Sequence, residues 1–128
     1  MTNQEILNYT REIKNLLSSE DKWTKGYSAR NECGDPVNLD DSSASCWCLT
    51  GAIFKTIGND IYKENGNKTY YQIAFEEMDY FPRYYGNLED YSFLHQGSLI
   101  TFNDSPKTSY QDVMNLLDRI ETRYSSQT

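Results

Sequence analysis

Hydrophobic and polar positions follow several different rhythms along this chain. Ile6, Tyr9, Ile13, Leu16 and Leu17 recur at helical spacing, and Thr2 followed by Glu5 has the hydroxyl-then-carboxylate form of a capping box. A first amphipathic helix is predicted over residues 3–17. Over 45–57 the pattern changes. Cys46, Leu49, Ile53 and Ile57 share one helical face, Trp47, Ala52 and Phe54 cover much of the rest, and Lys55 is the only charge. A helix apolar nearly all round belongs at the centre of a small domain, with neighbours on most of its circumference. Gly51 and Ala52 leave room for one of those neighbours to bring its backbone close, and Gly58 and Asn59 suit the helix end, the alternative being a slight break after which Ile61 and Tyr62 continue the helix.

Between these two helices the period shortens. Trp23, Lys25, Tyr27 and Ala29 fall on one side of an extended segment, with Thr24, Gly26, Ser28 and Arg30 opposite. Residues 31–36 have turn composition, and 37–39 can return as a second short strand, so a small β-hairpin is predicted. Beyond the centre, 64–68 reads as an exposed loop. Thr69 is placed to cap a third helix with an apolar stripe at 71, 74, 75 and 78, Glu76 and Glu77 on its exposed side and Pro82 as its stop. Residues 83–95 are aromatic without a clear period, 97–102 suggest an extended piece, and 103–108 read as a turn. The last helix starts at Thr108 or Ser109, with Gln111 or Asp112 as reciprocal capping partner. Its stripe is Val113, Leu116, Leu117, Ile120 and Tyr124. The expectation is one globular domain over 1–128, of mainly helical α+β class, with about four helices around a buried central helix and a short β-hairpin.

Composition changes this picture in three ways. Apolar residues make up only 38% of the 128, but aromatics reach 14% with 11 Tyr, so a thin core gains a phenol-rich shell. The net charge of −7 disfavours direct binding to phosphate backbones and suits a protein partner with a basic surface. Three cysteines, an odd number, without an apolar leader predict a reducing, cytoplasmic setting rather than a disulfide framework. The 45–57 run is too short to span a bilayer, which takes about 20 residues, so no membrane role is expected. Cys46 and Cys48 would point about 200° apart on a helix, and no second pair with His completes a metal set, so neither metal nor cofactor is expected.

Three motifs stand in order: W-T-K-G-Y-S-A-R at 23–30, C-W-C-L-T-G-A-I at 46–53, and F-N-D-S-P at 102–106 followed by the helix of Val113, Leu116, Leu117 and Asp118. Together they resemble a family of small uncharacterised bacterial and bacteriophage proteins, a domain of unknown function. That family pairs W-T-x-G-x-x-A-R with W-C-x-x-G-A and an aromatic-N-D-x-P turn. The chain departs from it in the tyrosine-rich middle, 70–91. The resemblance implies a phage or mobile-element origin as one option and no particular activity.

Four constellations could carry chemistry. Cys46 or Cys48, His95, then Asn103 or Asp104 follow the Cys-His-Asn order of thiol hydrolases, with a helix N-terminus to lower the thiol pKa; the best set is Cys48, His95 and Asn103. Against it, His95 is the single histidine and no glycine-rich oxyanion segment is evident. Arg30 with Asn103 and Asp104 either pins the hairpin to the last helix or holds a ligand anion, in which case a pocket of roughly 300 Å³ or more lies beside it. Tyr80, Tyr84, Tyr85, Glu89, Asp90 and Tyr91 combine phenols with carboxylates in the manner of a partner-binding patch, or form a tyrosine-heavy core edge. The adjacent acids Glu76-Glu77 and Asp40-Asp41 diverge and read as solvated faces. The favoured reading is a non-catalytic, cytoplasmic protein-binding module. It extends to a phage or mobile-element inhibitor or anti-defence factor of anti-CRISPR type. A cysteine-dependent hydrolase or transferase and a small-ligand binder using Arg30 are the alternatives.

Overall fold

The computed structural model describes residues 1–58, 70–79 and 91–126, with backbone alone at 91–94. Five helices and one two-stranded ladder occur among them: α1 (Asn3–Leu16), β1 (Ala29–Arg30), β2 (Cys46–Trp47), α2 (Leu49–Ile57), α3 (Tyr70–Glu76), α4 (Tyr91–Asp104) and α5 (Tyr110–Ser125). A single 3-10 turn, Glu20–Lys22, follows α1. The class is the mainly helical α+β expected.

Local chemistry explains the outer pair. Thr2 Oγ1 accepts the Glu5 amide at 3.1 Å while the Glu5 carboxylate accepts the Thr2 amide, and Ser109 with Asp112 repeats the arrangement at α5. These reciprocal caps satisfy amides that the first turn leaves without helical partners. α1 buries Ile6, Leu7 and Ile13, α5 buries Val113, Leu116, Leu117, Ile120 and Tyr124, and the two pack on each other. They run antiparallel: Tyr110 Oη donates to the Leu17 carbonyl at one end, and Lys14 reaches Asp118 and Glu121 further along.

α2 is the buried element. Leu49, Thr50, Gly51, Ala52, Ile53 and Ile57 are all buried, with α1, α4 and β2 around them. Gly51 admits a close backbone as expected: a Cβ there would lie 2.3 Å from the Ser28 carbonyl oxygen. Gly58, at φ 66°, ends the helix. α3 buries Tyr70, Tyr71, Ile73 and Ala74; its expected cap, Thr69, its stop, Pro82, and the loop at 64–68 lie outside the described residues. Burial raises the Tyr70 phenol pKa, and its hydroxyl shares a 2.6 Å hydrogen bond with Thr10 inside the core.

Four expectations need correction. Cys46 and Trp47 belong to a strand, not to the central helix: Ala29 faces Trp47 and Arg30 faces Cys46 in an antiparallel ladder. An apolar run bounded by polar residues fits either state, and the Ser45 amide on the Arg30 carbonyl with the Cys48 amide on the Ser28 carbonyl decides it. Of the extended segment expected at 23–30 only Ala29–Arg30 is strand, with 25–28 bent, and its predicted partner at 37–39 is reduced to a bridge between Arg30 and Pro36, with the Val37 amide on the Ala29 carbonyl. Residues 97–102, expected as extended, lie within α4, and Asn103 and Asp104 close that helix instead of sitting in the turn. Buried Ser98 and Asn103 blur the apolar stripe of α4, while Leu99 and Phe102 anchor it in the core. Glu76 and Glu77, expected on an open face, are partly buried and pair with Arg123.

Candidate functional site

The three motifs meet at one side chain. Asn103, at the C-terminal end of α4 and 1% exposed, accepts the Trp23 indole N–H at 2.6 Å and the Leu49 amide at 3.0 Å on its carbonyl oxygen. Its amide nitrogen donates to the Thr24 carbonyl at 3.0 Å and to the Asp104 carboxylate at 2.9 Å. Both carbonyl lone pairs and both N–H groups are thereby engaged, which is the full capacity of an asparagine.

Around it the 23–30 segment is fastened residue by residue. The Thr24 amide donates to the Trp47 carbonyl. Lys25 Nζ donates to the carbonyls of Ser105 at 2.7 Å and Thr108 at 2.8 Å, closing the turn between α4 and α5. Gly26, at φ 88°, offers its amide to Asp104 at 2.9 Å, in a backbone conformation that a side chain would strain. Arg30 folds back over the segment, donating to Thr24 Oγ1, to the Lys25 carbonyl and to the Gly34 carbonyl, with its guanidinium 4.7 Å from the Tyr27 ring centroid.

The head of α2 is closed by its own side chains. Cys48 is the N-cap, its sulfur accepting the Gly51 amide at 3.2 Å and lying 3.3 Å from the Thr50 hydroxyl. Burial raises the thiol pKa, and the bonds from Thr50 and Gly51 offset this only in part. A helix N-terminus would favour thiolate, but here desolvation prevails.

Two clefts open beside this junction, with Tyr27 and Ser28 in the walls of both. The smaller, about 250 Å³, is bounded by Cys48, Thr50, Ile100 and Asp104. The larger, about 500 Å³, is bounded by Val37, Asn38, Leu39, Asp40 and Phe54. A hollow of about 160 Å³ over Thr50 and Phe54 shares Ser28 with both. Tyr27 at 53% and Ile100 at 41% are the exposed large hydrophobic side chains among the described residues.

The structure brings some sequence candidates together and separates others. Cys48 and Asn103 both lie at the head of α2, but Asn103 is occupied by Trp23, Thr24, Leu49 and Asp104. His95 lies two turns earlier on α4, about 12 Å along the axis. It packs on Phe75, with ring centroids 4.9 Å apart, and burial lowers its pKa. Arg30 and Asp104 form no ion pair with each other; both bind the 24–26 segment, and Arg30 lines neither cleft. Tyr80, Tyr84, Tyr85, Glu89 and Asp90 lie outside the described residues, and Tyr91 begins α4 with its side chain also outside them. Among the described residues no group of three or more His, Cys, Asp or Glu could hold a metal ion, and no helix is long and apolar enough to cross a membrane.

A protein family matches the chain along residues 1–123. The chain belongs to DUF6197, a family of unknown function. No curated protein and no solved structure matches it. The sequence of this DUF6197 chain marks Asn103 and Asp104 but does not mark Trp23, Lys25 and Ile100 as their neighbours. The signal available was the segment W-T-K-G itself, whose indole N–H and ammonium needed acceptors somewhere distant.

Proposed function

We propose that this DUF6197 chain is a non-catalytic protein-binding module that presents acidic and tyrosine-bearing surface to a basic surface of another protein, as an inhibitor or anti-defence factor of a phage or mobile element would. The observation that supports this reading is the use made of the motif side chains. Asn103 has no hydrogen-bonding capacity left for a substrate, the Cys48 sulfur serves as a cap with its pKa raised by burial, and Arg30 is held by three acceptors of its own segment. Residue types that suit catalysis act here as fasteners. At the surface they leave exposed Tyr27 and Ile100, beside carboxylates, on a chain of net charge −7. In sequence, residues 80–91 add further Tyr, Glu and Asp to the composition.

The competing reading, a cysteine-dependent hydrolase or transferase, has one point in its favour: Cys48 borders the smaller cleft together with Thr50 and Asp104. One experiment separates the two. The chain is captured with its associated protein from the source cell and the pair is rebuilt from purified components. A one-to-one complex that survives Cys48→Ser is expected. Failure to recover a stoichiometric partner, or covalent turnover of the captured protein that stops with Cys48→Ser, would overturn the module.

A further inference from the structure

We propose that the paired clefts that share Tyr27 and Ser28 in their walls are the docking site, and that they take an extended, basic segment of the partner in which cationic and aliphatic side chains alternate along one face. This deepens the protein-binding reading and rests on it. Three observations choose this occupant.

The first is charge. The clefts are bounded by two carboxylates, Asp104 in the smaller and Asp40 in the larger, and by no Lys or Arg; the nearby Arg30 guanidinium, over the Tyr27 ring, is held by three oxygen acceptors of the 24–34 segment. Both hydrogen bonds to Asp104, from Gly26 and Asn103, fall on the same carboxylate oxygen, Oδ1. Asp40 is widely exposed, and its pairing with Lys55 is long at 3.8 Å. Such an exposed pair holds its members weakly and yields readily to a closer cation.

The second is the exclusion of anions. A helix N-terminus beside a cleft ordinarily attracts phosphate or carboxylate through its free amides. At α2 the Leu49 amide is taken by Asn103 and the Gly51 amide by Cys48, and Asp104 adds a negative charge nearby. The third is the apolar floor. Tyr27 and Ile100 flank the smaller cleft, and Val37, Leu39 and Phe54 the larger. Two clefts that share Tyr27 and Ser28 in their walls suit side chains that descend from alternate positions of an extended chain, since residues i and i+2 share a face.

The test uses the full chain, isotopically labelled for NMR, and three synthetic peptides. One repeats Arg-Ser-Leu-Ser, which sets Arg and Leu alternately along one face; one repeats Glu-Ser-Leu-Ser; one repeats Arg-Ser-Ser-Ser. The first should shift the amide signals of Tyr27, Ser28, Thr50 and Ile100, and the other two should leave them in place. Asp40→Asn with Ile100→Ser, both at exposed positions, should weaken that binding about tenfold. Asp104→Asn, which keeps the carbonyl that Gly26 needs, should weaken it about threefold. Retained signal dispersion reports that each variant is folded; if Asp104→Asn is not, the exposed pair of substitutions decides alone. Equal binding of the leucine-free peptide, binding of the glutamate peptide, or binding of the first peptide unaffected by the exposed pair would overturn the site. A cellular complex indifferent to these substitutions would sink this site and spare the module. Absence of any cellular complex would sink the module, while the titration still reports on the clefts.

Discussion

At the head of α2, Cys48 stands where Ser, Thr or Asp usually caps a helix, and its sulfur accepts the Gly51 amide. Cys48 as a residue is 7% exposed, so charging its thiol means desolvating a thiolate, and burial accordingly raises its pKa. The sign follows from linkage. With the folded pKa above the unfolded one, the stabilising contribution is complete below the ordinary thiol value of about 8.5 and falls away as pH rises through the folded value. Urea unfolding of a chain carrying Cys33→Ser and Cys46→Ser should therefore lose stability as pH rises above the ordinary thiol value, and adding Cys48→Ser should remove that loss. At neutral pH Cys48→Ser should cost less than about 1 kcal/mol because a hydroxyl keeps the cap, whereas Cys48→Ala should cost about 1–2 kcal/mol. A pH profile unchanged by Cys48→Ser would show that the sulfur is not the titrating group.

Between elements, the clearest electrostatic joint is the one that ties α1 to α5. Lys14 lies 2.6 Å from Asp118 and 2.8 Å from Glu121, and Arg11 lies 3.1 Å from Glu121. The hydrogen bond from Lys14, more than that from Arg11, lowers the Glu121 pKa; bonds to Asp118 and then Glu121 raise that of Lys14. The joint is therefore intact between the two unfolded values, about 4.3 for a glutamate and about 10.4 for a lysine. It weakens as pH falls through the folded Glu121 value or rises through the folded Lys14 value. Glu121→Gln should cost about 0.5–1 kcal/mol at pH 7 in urea unfolding, and variant and parent should converge as pH falls through the folded Glu121 value. A difference that persists in acid would mean the loss comes from packing instead. These two helices were also the most legible elements in the sequence, because an apolar stripe and a reciprocal cap are local patterns. α4 was not: Gly97 interrupts it and buried Ser98 and Asn103 stand where a stripe would be apolar, so its helicity rests on packing of Leu99 and Phe102. The two-residue pairing of Ala29–Arg30 with Cys46–Trp47 is non-local, and nothing within either segment names the other.

For the molecule as a whole, the candidate site was legible as a set of residues but not as a set of contacts. The motif F-N-D-S-P announces turn chemistry, and Asn103 does lie where α4 gives way to the turn. Its partners, Trp23 and Leu49, are distant in sequence, and no spacing rule connects them. That non-locality is the reason Asn103 matters globally. One amide holds the 23–30 segment, the start of α2 and the end of α4, while Lys25 extends the same junction to the start of α5. Asn103→Ala would strand a partly buried indole N–H, a buried amide and a carbonyl together, at about 1–3 kcal/mol for each fully buried group, and an overall loss of about 3 kcal/mol is expected in urea unfolding. Asn103→Asp keeps the acceptor but loses both donors and sets a second carboxylate beside Asp104, so it should rescue only part of that loss. Hydrogen exchange supplies the sharper readout. The amides of Thr24, Gly26 and Leu49 donate to three different acceptors, Trp47, Asp104 and Asn103, and share only this junction. In Asn103→Ala they should lose protection together, while amides in the middle of α1 and α5 weaken only as far as global stability falls. If Leu49 alone becomes exchangeable, the three segments are independent neighbours, and the convergence on Asn103 has no energetic meaning.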